Sequence, residues 1–515
     1  MSTFSGLEVA RKALFAQQSA LHTTGHNIAN ANTPGYSRQR VNLQATSPFP
    51  TPARNRPEIP GQLGTGVEAG SIQRIRDTFL DIQFRGEHNK LGYWEARANS
   101  LNQMENILNE TNDTGLSSNL DLFWQSLNDL AGNAEDSGAR SVVQERGITL
   151  ADTFNYVSNS LKAIQKDIGE EMGVTTTHLN SLLTQIKNVN DQIKEVEPHG
   201  YLPNDLYDER DRLIDQLSEV VNVKVTYDSS GGNPDASAMG IASIELVDGE
   251  GKPYPTPIQL LDDTNTVHNV SVSFGDLNGQ RVVNGVTVDG HAALSPTDFV
   301  SPGKLKGLIE SHGYENTGTA DGIYTKMLAD IDKMAYAFAE EFNRVHQQGY
   351  DLNGEQGEAF FDLEGATAAN YIGYASRMSV SDTIQNNPSK IAAASKLNAD
   401  GTTPKGDGEN AQELAKVKNS DLAIFGTNTS VASFFEGTIG NMAVQAQQAN
   451  SMHASAKTLE GAVESRRQSI SGVSLDEEMT NMIKFQHAYN AAARNMTVVD
   501  EMLDRIINNM GVVGR

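Results

Sequence analysis

The chain has 515 residues, too many for one hydrophobic core, so about two to four domains are expected. Its formal charge of −25, from 40 Lys and Arg against 65 Asp and Glu, repels phosphate backbones and anionic lipids and argues against nucleic-acid or membrane-surface binding. The absence of cysteine excludes disulfides and thiolate metal sites. No apolar run approaches the roughly 18 residues of a membrane span, and the first residues lack the charged and apolar regions of a Sec signal peptide.

The acid is unevenly placed. Residues 1–43 carry one acid and four bases, and 461–515 carry seven acids and six bases, so the negative charge belongs to the interior. The near-neutral N-terminal end repeats Leu7, Leu14, Leu21 and Ile28 every seven residues, with Ala10, Ala13 and Ala20 beside them. Such heptads mark a helix that packs lengthwise on another.

That helix runs into "NIANANTPGYSRQR" (27–40). Pro34 disfavours helical backbone at Thr33, which predicts a stop near Asn32. Pro34 and Gly35 at the centre of Thr33-Pro34-Gly35-Tyr36 fit a type II turn, and Tyr36, Arg38 and Arg40 then share one face of an extended segment. The corner reads as a hinge that orients a helical arm, with its arginines as subunit contacts. "LGTGVEAG" (63–70) reads as a turn before a strand.

Further along, Leu91, Trp94, Ala98, Leu101, Met104 and Leu108 make one helical seam, and Leu116, Leu120, Phe123 and Leu127 a shorter one. A seam from Val143 to Val196 predicts a rod of roughly 80 Å that ends at Pro198. Another helix follows "PND" through Leu206, Leu213, Leu217 and Val220. From Val223 to about Val300 short alternating runs split by "SSGGNP", "DGEGKP" and "DLNG" predict a small antiparallel β insertion. Ile323 to Val345 forms a return helix, residues 351–430 are mixed, and Phe435 to Ile470 leads into the last helix. There Leu475, Met482, Tyr489, Met496, Leu503 and Met510 repeat the heptad, and the two chain ends are expected to pair.

No enzyme chemistry emerges from this pattern. His22 and His26 stand at i, i+4 without the glutamate of a metalloprotease motif or a third ligand nearby. "DLNGEQGEAFFD" (351–362) has Gln356 where a calcium loop needs glycine and Asp362 where it needs glutamate, so a tight turn at Asn353-Gly354 explains it better. His346 reads as a helix-end polar residue. "DLYDERDRLIDQL" (205–217) resembles a carboxylate cluster, yet mixed charge opposite a leucine stripe predicts a solvated helix face. No catalytic, cofactor or metal residue is assigned.

The expected fold class is mainly α with a β-rich inserted domain. It is a nested chain, with paired N- and C-terminal coiled-coil helices and a long-helix bundle. The expected division is 1–45 with 465–515 as a terminal assembly domain, 46–222 with 301–464 as a helical rod, and 223–300 as the β-rich outer insertion. Two lone helices bury little apolar area relative to their ordering cost, so both ends are expected to be largely disordered in a monomer and to fold on polymerisation.

The end motifs carry a resemblance. "ANANTPGYSRQ", with Asn30, Asn32, Thr33, Pro34, Gly35, Tyr36 and Arg38, and "FQHAYNAAARNMTVVDEMLDRIIN" resemble the paired end motifs of bacterial flagellar rod, hook and hook-associated proteins. The interior segments "LGTGVEAGSIQRIRDTFLDIQFR", "LPNDLYDERDRLIDQLSEVVNVKV", "SPGKLKGLIE" and "FNRVHQQGYDLNGEQGEAFF" resemble the hook-associated protein 1 family. That resemblance implies a structural role at the hook–filament junction and export by the flagellar type III apparatus without a cleaved signal. Its implied partners are further copies of the chain in a ring, the hook protein, the second junction protein and an export chaperone on the C-terminal region. The alternatives are a hook or distal-rod protein, which shares both end motifs, and a secreted adhesin-like coiled-coil protein. An enzyme with its catalytic part in 223–300 is a remote third.

Overall fold

The computed structural model describes residues 4–51, 54, 58, 61–108, 115–426 and 429–509; the heptad position Met510 lies outside them. Helix α1 spans Ser5–Ala29, and strands β1 (Gln39–Ala45) and β2 (Val67–Arg74) form an antiparallel pair with a register shift at Asn42/Leu43. Helices α2 (Thr78–Leu108), α3 (Leu116–Gly132), α4 (Ser137–Val196) and α5 (Asn204–Val220) follow.

Helix α4 is the spine. Its 60 residues run unbroken for about 90 Å at 1.5 Å per residue. Asp136 caps its start by accepting from the amides of Gly138 and Ala139, and a 3₁₀ turn containing Pro198 ends it. One face is apolar over the whole length, and two asparagines on it grip strands. Asn190 donates to the Ala242 carbonyl at 2.8 Å, and Asn180 both donates to the Val270 carbonyl and accepts the Val270 amide.

The strands these asparagines hold form two sheets. Strands β3 (Val223–Asp228), β4 (Ile241–Val247) and β5 (Pro253–Leu261) are antiparallel neighbours in that order. Strands β6 (Val270–Leu277) and β7 (Gln280–Val288) pair antiparallel. After α6 (Lys304–His312), β8 (Tyr314–Asn316) and β9 (Thr319–Asp321) complete this second sheet. The β structure thus continues past Val300, and β7 and β8 touch in parallel at Val283 and Tyr314. Its inner face belongs to the same buried core as the helices: Ile244, Leu246, Val283 and Val286 cluster with Ile186 and Ile193 of α4.

Return helix α7 (Ile323–His346) leads through β10 (Phe361–Asp362), β11 (Ser379–Val380), α8 (Asp382–Asn386) and α9 (Glu409–Lys416) to α10 (Val431–Ser471) and α11 (Leu475–Asn509). Phe123 of α3, Phe338 and Phe342 of α7, and Phe360 and Phe361 interlock with ring centroids between 4.8 and 6.2 Å. Gly147 of α4 admits that cluster, because a Cβ there would lie 2.8 Å from the Phe360 ring. His346 ends α7 fully buried, accepting the Ala392 amide on Nε2 and donating from Nδ1 to the Glu358 carbonyl; burial lowers its pKa to about 4. The Asn353-Gly354 turn closes on Asp351, whose carboxylate accepts the Asn353 and Glu355 amides at 2.8 Å.

The aromatic cluster sets the stability of this body. Phe123→Ala should cost about 3–5 kcal/mol in urea unfolding, whereas Phe15→Ala on α1, where the ring is 60% exposed, should stay within about 0.5 kcal/mol.

Candidate assembly interface

Helix α1 lies against α11, and the two are antiparallel. Gly6 faces Val499, while Asn27 at the other end of α1 reaches Glu478 at the start of α11. The buried apolar positions of the pair are small: Ala10, Ala16, Ala20 and Ala492. The heptad residues Leu7, Leu14, Leu21, Ile28, Met482, Met496 and Leu503 are half-buried along the pair, and Leu475 and Tyr489 are exposed. None of these side chains joins the core of the body.

The pair leaves large apolar groups uncovered. Phe15, Met479, Ile483, Val498, Met502 and Ile506 are all exposed, Met479 to 57% and Met502 to 58%. An apolar groove of about 660 Å³ runs between α1, α11 and the β1–β2 connection, lined by Val9, Ala13, Phe49, Leu63, Val498 and Val499. Rows of exposed apolar side chains along a helix pair mark an interaction face.

The corner that joins α1 to β1 is built around Asn27. Its amide nitrogen donates to the Gln39 carbonyl at 2.8 Å and to Glu478 at 3.0 Å, and its oxygen accepts the Gln39 amide at 2.9 Å and the Tyr36 hydroxyl at 2.8 Å. These are all four hydrogen bonds that a carboxamide can make. Tyr36 accepts in turn from His26 Nδ1 at 2.9 Å. Burial, with the negative charge of Asp205, Asp208 and Glu478 nearby, holds the Tyr36 phenol protonated far above its ordinary range.

The rest of the motif shapes the backbone. Helix α1 stops at Ala29, slightly before the expected Asn32. Asn30 donates to the His26 carbonyl and accepts from the Thr33 hydroxyl, while Asn32, Thr33 and Pro34 are exposed. The Tyr36 amide donates to the Thr33 carbonyl and Gly35 has φ 81°, as the type II turn requires. Arg38 corrects one expectation: it bonds Glu478 at 2.8 Å and Glu477 at 2.7 Å within the same chain, and only Arg40 is exposed. With the Arg38 amide also donating to the Ser471 carbonyl, the corner is a braced joint and not a loose hinge.

A second correction lies beneath it. The charged face of α5, expected in solvent, is buried. The Ser37 amide donates to Asp208 at 2.9 Å, and Arg74 bonds Asp208 at 2.6 Å and Asp211 at 3.0 Å. Arg85 of α2 bonds Asp215 at 2.7 Å and Asp211 at 3.3 Å, Arg76 reaches Asp211 at 3.4 Å, and Arg467 of α10 closes on Asp215. Burial pushes the Asp211 carboxyl up, but Arg76, Arg74 and Arg85 more than reverse this and hold it well below the usual carboxylate range. At Asp208 burial prevails over Arg74 and its pKa is raised. Periodicity alone pointed this face outwards because its arginine partners are distant in sequence. Asn27, Glu478 and Ser37 were missed for the same reason, although an asparagine inside an apolar helical repeat was a visible signal.

Known proteins match at both ends and in between. The family model described as "Flagella basal body rod protein" matches residues 7–36, and "Flagellar basal body rod FlgEFG protein C-terminal" matches 464–510. "Flagellar hook-associated protein FlgK helical domain" matches 101–361. Flagellar hook-associated protein 1 of Bacillus subtilis (strain 168) is 46% identical over 100% of both chains. The proteins of that name in Salmonella typhimurium (strain LT2) and Escherichia coli (strain K12) are each 25% identical over 97% of this chain and 98% of theirs. The solved flagellar hook junction protein FlgK from Burkholderia pseudomallei shares the fold, with a TM-score of 0.59 at 15% identity, covering 76% of this chain and 100% of that one. Fold and paired ends together define a structural protein of the bacterial flagellum. The chain belongs to the flagellar hook-associated protein 1 family.

Two measurements probe the joint. Asn27→Ala removes the partner of the Gln39 amide and carbonyl and the acceptor of the Tyr36 hydroxyl proton, and should destabilise the terminal unit by about 2 kcal/mol or more, read as faster hydrogen exchange at Gln39 with the body unchanged. Asp211→Asn should cost about 3 kcal/mol at neutral pH, because Arg74, Arg76 and Arg85 keep Asp208, Asp81 and Asp215 but lose the buried carboxylate they share. Because the folded Asp211 pKa is depressed, its contribution is present above the unfolded value of about 3.9, and the gap between native and variant should close as pH falls below that.

Proposed function

We propose that this chain is the first junction subunit between flagellar hook and filament, assembling through α1 and α11 into a ring with copies of itself. The observation that carries this reading is the terminal pair itself: braced to the body by polar groups, outside the body's core, and with Phe15, Met479, Ile483 and Met502 uncovered. A helix pair of this kind is unfinished, and neighbouring copies supply the missing cover.

On this reading residues 1–45 and 465–515 are the assembly domain, 46–222 and 301–464 the helical rod, and 223–300 the outer insertion. The hook protein lies on one side of the ring and the second junction protein on the other. The protein is exported through the flagellar type III apparatus, with a chaperone covering the apolar C-terminal region in the cytoplasm and the flagellum as its destination.

Electron microscopy of a deletion strain tests the role. Hooks without filaments, and flagellin lost to the medium, are expected. Leu14→Asp or Leu503→Asp expressed in that strain should leave the body folded and still give bare hooks. Normal filaments with the deletion, or with either variant, contradict the proposal.

A further inference from the structure

Strand β3 forms one of the two edges of the three-stranded sheet β3–β4–β5, and among the described residues no other strand is bonded to it. The Val247 amide donates to the Asn222 carbonyl, and Val223 stands opposite Leu246. In an antiparallel pair this makes residues 222, 224, 226 and 228 the ones whose backbone groups face β4. The N–H and C=O groups of Val223, Val225 and Tyr227 therefore face outwards along the free edge.

That edge lines a cleft of about 650 Å³ whose opposite wall is α2. With a strand spacing of 4.8 Å, a depth of 10 Å and a rise of 3.3 Å, one packed strand residue occupies about 160 Å³, so the cleft holds about four residues of a single strand. The α2 wall excludes a whole second sheet. A row of unpaired backbone groups is a template for an incoming extended segment.

The chemistry of the walls selects the occupant. In a chain of net charge −25 this cleft presents exposed Lys224 and Lys90, while the buried Arg74 and Arg85 behind them are already neutralised by Asp208, Asp211 and Asp215. Among the described residues Lys90 is tied only to Glu87, one helical turn away. Of the acids lining the cleft, Asp81 and Asp211 are paired to arginines and Glu250 is paired to Lys252. Ile82 supplies an apolar surface, 69% exposed at the mouth. We propose that the cleft between β3 and α2 is a docking site for an extended segment of another protein, alternating acidic and apolar side chains, which adds to β3 as a fourth strand. This inference is independent of the junction role.

The test uses the full-length chain and two capped synthetic peptides, EVEVE and KVKVK, read by hydrogen exchange. EVEVE should slow exchange of the Val225 and Tyr227 amides by at least about tenfold, and KVKVK should not. Val225→Pro removes an outward donor without costing a bond to β4, so it should keep the native circular dichroism spectrum and abolish the effect. Lys90→Glu combined with Lys224→Glu should weaken EVEVE by at least about tenfold. No slowing with EVEVE, equal slowing with KVKVK, slowing retained in Val225→Pro, or undiminished affinity in the charge-reversed variant each overturns the proposal. Protection that rises with protein concentration and needs no peptide assigns the edge to a second copy and also overturns it.

Discussion

A carboxylate taken out of water must meet a cation or a hydrogen-bond donor, and four such groups at one joint set the geometry of this molecule. Asp208, Asp211 and Asp215 of α5 and Glu478 of α11 are all buried. Their partners come from β2, the segment after it, α2, α10 and the corner at Ser37 and Arg38. Ion pairs of this kind add little net stability compared with apolar packing, but misplacing any one of those elements leaves a charge uncompensated. The joint therefore fixes direction: it sets the angle at which the terminal helices leave the body.

Apolar packing does the opposite work at the two ends. In the body it is complete, with Phe123, Phe338, Phe342 and Phe360 fully buried against α4. In the terminal pair the enclosed apolar residues are alanines, while larger groups such as Phe15, Met479 and Met502 stay open. A rigid body carrying an oriented but unfinished helix pair suits an assembling flagellar subunit: the body is settled before assembly, and the apolar area of the pair is left for neighbours.

Much of this was legible in the residues. The heptads, the long α4 seam and the Pro34-Gly35 corner are local patterns whose physics acts within a few residues, and the structure places them where the spacing pointed. The charged face of α5 was misread because an i, i+4 pattern reports only on its own helix. Arg74, Arg76, Arg85 and Arg467 turn a solvated face into a buried one, and they lie up to 252 residues away. The β1–β2 pairing was only half visible, since "LGTGVEAG" gave a turn and a strand without saying what the strand would bond. Gln39 opposite Arg74 is a register set by the joint itself.

The central claim is that the ends form an oriented yet incomplete unit, separate from the core. Hydrogen exchange on the isolated monomer tests it most directly. The account predicts exchange from 5–29 and 475–509 far faster than from Val143–Val196 of α4, and slowing of those terminal segments once the chain is polymerised. Terminal protection in the monomer equal to that of α4 would contradict it.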